Sequence, residues 1–191
     1  MEYEKMKELL ASKLKPSRYQ HSLGVAATAE FLAERFDVDR EKARIAGLLH
    51  DCAREYKDEE LITEAQKRNI AYGEVEKAMP LLLHAYIGAQ RISEIYEVND
   101  AEISQAIYSH TVGGANMTKL DKIIYFADMI EPNRDYPEVE MLRKLSREAS
   151  LDEMLLEGLT QSIIFVAAKN HLIHEDTVKA RNRILLDTMK G

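Results

Sequence analysis

The chain is predicted to be all-α, and three observations predict it. Apolar residues recur at helical spacing along most of its length, strand-like alternation is scarce, and only 8 Gly and 4 Pro break 191 residues rich in Leu, Ile, Ala, Glu and Lys. The elements follow in order. The opening MEYEKMKELLASKLK is charged and helix-like. Leu23, Ala26, Ala27, Ala29 and Leu32 suit a helix over about 17–36, with Ser17 as N-cap behind Pro16. A second helix follows Asp39 and runs through Ile45, Leu48 and Leu49 to His50 and Asp51, and Asp58 with Glu60 and Leu61 starts another. Pro80 fits the first turn of a helix reaching about Tyr96; Asn99 or Asp100 caps the next, which ends near His110. TVGGANM, at 111–117, breaks the pattern, after which Thr118 caps a helix through Lys122, Tyr125, Asp128 and Ile130 that Pro132 stops. Helices over about 138–148, about 151–170 and from Asp176 complete the set. A single domain over 1–191 is expected, its core at about 17–135 and its C-terminal helices at about 138–189.

Composition narrows the function. A net charge of -7 disfavours nucleic-acid binding through a broad basic surface, so a polyanionic partner needs a local positive site. Cys52 is the only cysteine, which excludes an intramolecular disulfide and points to a reducing compartment. With no apolar stretch long enough for a bilayer and no signal-like opening, a cytoplasmic protein without a membrane partner is expected.

Four of the six histidines, His21, His50, His84 and His110, fall one per expected helix or helix end. A helical bundle brings such positions to one interior point, where imidazole and carboxylate together suit iron, manganese, zinc or related ions. His50 and Asp51 follow the apolar run Ala46, Gly47, Leu48, Leu49, at the inner end of a buried helix. For His21 the alternative is a hydrogen-bonded core histidine, but Arg18 and Gly24, three positions away on either side, add a cation and open backbone. His84 repeats the pattern with Gly88, which leaves room for a phosphate. His110 opens the Gly-rich loop, and a C-terminal helix contact is its alternative. Asp128 lies in the apolar helix IIYFADMI, where a metal or an arginine must compensate its charge. His171 and His174 fall near a helix junction, where surface or capping roles lead, with His174 kept as a candidate substrate contact. The lone Cys52 reads as inert packing.

The ordered set Arg18-Tyr19-Gln20-His21-Ser22, Gly47-Leu48-Leu49-His50-Asp51, Leu83-His84-Ala85, Ser109-His110-Thr111, Lys122-Ile123-Ile124-Tyr125-Phe126-Ala127-Asp128 and Ile130-Glu131-Pro132-Asn133-Arg134-Asp135 resembles the YqeK family of the HD-domain superfamily. These are symmetrical bis(5'-nucleosyl)-tetraphosphatases, and the resemblance runs from about residue 17 to 183. It implies an HD-domain helical bundle, two metal ions with iron favoured over manganese, cobalt or zinc, and cleavage of diadenosine tetraphosphate into two ADP. By the same resemblance His21, His50, Asp51 and Asp128 hold one ion, and Asp51 bridges to a second held by His84 and His110; Asp51, His84 and His110 are the expected catalytic members. Many HD enzymes carry Lys three residues after the doublet's Asp. Arg54 stands there in this chain, which keeps charge and removes a proton donor.

The residues suit a metal-activated hydroxide attacking a phosphorus, with no covalent enzyme intermediate. Arg18, Arg54 and Arg134 are candidate phosphate contacts, joined by Thr111 and by the loop amides of Gly113 and Gly114 beside the helix N-terminus at Thr118. The expected partners are a dinucleoside polyphosphate substrate and a nucleoside diphosphate product, with a homodimer left open. The competing readings are an HD phosphohydrolase acting on a nucleoside mono- or triphosphate or a cyclic dinucleotide, and a non-catalytic nucleotide sensor.

Overall fold

The structure is a computed structural model that describes residues 1–190; Gly191, the last residue of the expected domain, lies outside them. The described residues form eleven α-helices and no strand: α1 (Tyr3–Lys13), α2 (Pro16–Arg35), α3 (Arg40–Leu49), α4 (Asp58–Lys67), α5 (Glu74–Ala78), α6 (Leu83–Tyr96), α7 (Ala101–Ser109), α8 (Lys119–Ile130), α9 (Val139–Glu148), α10 (Leu151–Ala168) and α11 (Glu175–Thr188). A 3₁₀ turn, Pro80–Leu82, leads into α6. None of these helices is long and apolar enough to cross a membrane.

Side-chain caps set several boundaries. Asp39 accepts the Lys42 amide, Asp100 those of Glu102 and Ile103, and Thr118 and Asp121 close a reciprocal capping box on α8. Ser17 does not cap α2: Lys15 is the N-cap, because Pro16 has the fixed φ and missing N–H that suit the first helical position. The short α5 went unread in the sequence; its five residues are fewer than hydrophobic periodicity can register.

The largest buried patch joins α1, α2, α3, α7 and α8 around Leu10, Leu32, Leu48, Ile107, Ile123 and Phe126. A second, with Leu61, Leu83 and Ile87, seats α4 on α6, and a third, with Tyr125, Leu159 and Ile184, seats α10 and α11 on α8. The α2–α3 contact is backbone on backbone: a Cβ on Gly47 would lie 2.9 Å from the Ala26 Cα. Gly47→Ala should therefore lower unfolding free energy by about 1–3 kcal/mol through overpacking, although Ala is the better helix former. Denaturant unfolding measures it, and an unchanged midpoint would mean that the two helices part without strain.

Candidate metal centre

The six candidate side chains come from five different helices or helix ends. His21 lies on α2, His50 and Asp51 leave the end of α3, His84 stands in the first turn of α6, His110 directly follows α7, and Asp128 lies on α8. All four histidines and Asp51 are buried, and Asp128 is half-buried. The Nε2 atoms of His21 and His50 are 3.2 Å apart, and those of His84 and His110 are 3.1 Å apart.

The outward ring nitrogens explain why that closeness is chemically informative. Nδ1 of His50 faces the Gly47 carbonyl at 2.7 Å, that of His110 faces the Ile107 carbonyl at 2.6 Å, and that of His84 faces the Leu81 carbonyl. Nδ1 of His21 faces Oε1 of Glu131 at 3.1 Å. Each partner is an acceptor, so Nδ1 carries the proton and donates, and the neutral form of each ring is the tautomer that turns a bare Nε2 lone pair inward. Two lone pairs at 3.1–3.2 Å repel unless a cation lies near both.

Asp51 divides its oxygens between the two pairs. Oδ1 lies 3.0 Å from His84 Nε2 and 3.8 Å from His110 Nε2, while Oδ2 lies 3.4 Å from His50 Nε2 and 3.7 Å from His21 Nε2. Asp128 Oδ1 sits 2.9 Å from His21 Nε2 and 3.9 Å from His50 Nε2. Three overlapping groups of close donor atoms result: His21, His50 and Asp51; His50, His110 and Asp128; Asp51, His84 and His110. Only nitrogen and oxygen are offered, which fits a first-row divalent ion.

The electrostatics agree with a site built for positive charge. Burial disfavours protonated His50, yet Asp51 and Asp128 outweigh it and raise its pKa. Burial also opposes ionised Asp51 and Asp128, but the surrounding histidines, with Arg134 beside Asp128, pull both carboxyls well below the usual range. His110, buried beside His50 and His84, is pushed down to about 3. At neutral pH the carboxylates are charged and His110 is a free-base donor.

Three arginines lie close to the two carboxylates. Arg18 donates to Asp51 Oδ2 at 2.8 Å, and Arg134 bonds the Asp128 carboxylate and, through Nε, the Asp128 carbonyl at 2.7 Å. Arg54, half-buried with Asp51, Asp128 and Arg18 as electrostatic neighbours, has its pKa lowered by burial. Thr111 belongs here too, its hydroxyl 3.1 Å from His110 Nε2.

Several other candidates fall elsewhere. The Gly113 amide is spent on the Ser109 carbonyl at 2.8 Å, and the residue packs on Ala180 and Leu159 with φ of 75°. Gly114 lines a separate cavity of about 240 Å³ with Arg183 and Ile184. At the α8 N-terminus the Asp121 carboxylate already accepts the Thr118 amide, so an acid of the chain itself stands beside the position expected for an anion. His174 caps α11 through Nδ1 and donates Nε2–H to Glu76 at 3.1 Å, leaving no ring nitrogen for substrate. The glycines beside the ligands are not open space: a Cβ on Gly24 would lie 2.3 Å from Glu131 Oε2, and one on Gly88 would lie 3.3 Å from Cys52 Sγ. Burial pushes the Cys52 thiol up to about 12, in keeping with an inert side chain.

Glu131 was missed in the sequence. It is 1% exposed, receives His21 on one oxygen, and is held on the other by Asn133 through its backbone N at 2.8 Å and its Nδ2 at 2.9 Å. A signal existed: an acid at a helix C-terminus opposes the helix dipole and needs a compensating partner.

The chain matches the HD domain family over residues 18–133. It is 35% identical to the "Bis(5'-nucleosyl)-tetraphosphatase, symmetrical" of Halalkalibacterium halodurans, covering 94% of this chain and 95% of that protein. It is 36% identical to the protein of the same name from Bacillus subtilis, covering 95% and 97%. A crystal structure of a "predicted HD superfamily hydrolase involved in NAD metabolism" from Clostridium acetobutylicum superposes with a TM-score of 0.93 at 38% identity over 98% of each chain.

Proposed function

The chain belongs to the HD-domain family, and from that premise we propose that it is a symmetrical bis(5'-nucleosyl)-tetraphosphatase, cutting diadenosine tetraphosphate into two ADP. The observation that carries the reading is Asp51, a buried carboxylate whose two oxygens address two different pairs of inward-facing histidine lone pairs. Near full-length likeness to proteins of that name supports the substrate.

His21, His50, Asp51 and Asp128 would hold one ion and Asp51, His84 and His110 the second, with iron our choice among the first-row ions that suit nitrogen and oxygen donors. Divalent ions held there would supply a water nucleophile near neutral pH and polarise a phosphoryl oxygen. The chain's own groups do the rest. Two carboxylates leave a pair of divalent ions partly uncompensated, so the centre attracts a polyphosphate although the chain carries a net charge of -7. Arg18 and Arg134 orient the carboxylates and, with Arg54, offer forked contacts to phosphate oxygens. Cytoplasmic residence is part of the proposal, supported by the single buried thiol.

Product analysis tests the reading. Purified chain given diadenosine tetraphosphate should release ADP alone, and AMP with ATP would reject the symmetrical cut.

A further inference from the structure

The two halves of the cluster are seated differently. His21, His50 and Asp128 stand on or at the end of α2, α3 and α8, which share the largest buried patch. His84 does not: its neighbours Leu83, Ala85, Tyr86 and Ile87 belong to the smaller patch on α4. His110 lies beyond the last turn of α7, where regular helix has ended.

Both of these segments are tied to the start of α11. His174 donates Nε2–H to Oε1 of the buried Glu76 at 3.1 Å, and the same oxygen accepts the Tyr86 hydroxyl at 3.3 Å, two positions after His84. The buried Thr177 donates its hydroxyl to the Val112 carbonyl at 2.9 Å, two positions after His110. Neither end of the first tie is free to turn, because the Gly73 amide holds the other oxygen of Glu76 at 2.9 Å and the Asp176 amide holds Nδ1 of His174 at 3.1 Å. Further along α11, Ala180 and Ile184 pack with Tyr125 and Leu159, which fixes the helix on α8 and α10. All of α11 lies outside the residues, 18–133, that match the HD domain family.

We propose that the start of α11 is a strap that positions His84 and His110 for the second ion, with His174 and Thr177 as its positioning residues. Each tie ends two residues past one of the two imidazoles and joins it to a helix anchored elsewhere. Imidazoles already held in place bind an ion without a further ordering cost, whereas loosened ones bear that cost at the moment of binding. The inference rests on the two-ion reading above and not on the identity of the substrate.

Titration of the chelator-stripped chain with a divalent ion, in the absence of nucleotide, tests it through two stepwise affinities. Thr177→Val keeps the shape of the side chain and removes its hydroxyl, and should weaken one ion about three-fold. His174→Ala together with Thr177→Val should weaken that ion about ten-fold and leave the other within about two-fold. His174→Gln with Thr177→Ser, which returns a donor to each tie, should recover most of the loss. Glu131→Ala loosens His21 and hence the first ion, so combined with the strap variants it should leave both ions weakened and not one weakened twice. Both ions weakened alike by the strap variants alone, a lower unfolding midpoint with both affinities unchanged, or one ion weakened twice in the combined variant would overturn the strap. Thr177→Val alone decides the matter if the double variant does not fold. An unaltered chain that takes up a single ion would reject the two-ion reading and the strap with it, while two ions of full affinity in every strap variant would reject the strap alone.

Discussion

Asp51→Asn should lower turnover by at least about 10³-fold and halve the bound metal or worse, with helical content unchanged. The amide keeps the shape of the carboxylate but has one oxygen and one NH₂. In either flip one histidine pair, His21 with His50 or His84 with His110, faces a donor that repels a cation where it had faced an oxygen. The substitution also removes the charge that Arg18 neutralises. No helix depends on the side chain, so circular dichroism should report an intact fold. Unchanged activity would defeat the bridging role of Asp51.

Glu131→Ala should weaken metal binding by about 10- to 100-fold, the range seen when the partner of a metal-ligating histidine is lost. The carboxylate fixes both the orientation of His21 and the tautomer that leaves Nε2 bare. Glu131→Gln should recover part of the loss, because its carbonyl still accepts from Nδ1. Gly24→Ala should mimic the defect from another helix, since its Cβ would displace Glu131 Oε2. Competition with a chelator reads all three affinities; equal affinity in Glu131→Ala and the unaltered chain would reduce Glu131 to a buried acid without influence on the ion.

The six clustered side chains were legible because each is out of place locally. Asp128 interrupts an apolar helix, and His50 and Asp51 follow four apolar residues, so burial without a partner would be expensive there. Helix starts at Asp39, Asp100 and Thr118 were legible for a similar reason: capping is a contact over two or three residues, and sequence displays it directly. Glu131 was not, because the histidine that explains it lies 110 positions earlier. Glycine misled for a related cause. Gly24 and Gly88 on ligand-bearing helices marked close approach, but only the packed fold reveals that Glu131 and Cys52, not a phosphate, fill the space. The Gly113–Gly114 loop read as an anion cradle, while in the fold its first amide serves the end of α7.

Metal titration of the chelator-stripped chain, followed by calorimetry and elemental analysis, bears most directly on the convergence of distant imidazoles and carboxylates. Uptake of two divalent ions per folded chain is the predicted result. A folded chain that takes up none would contradict it.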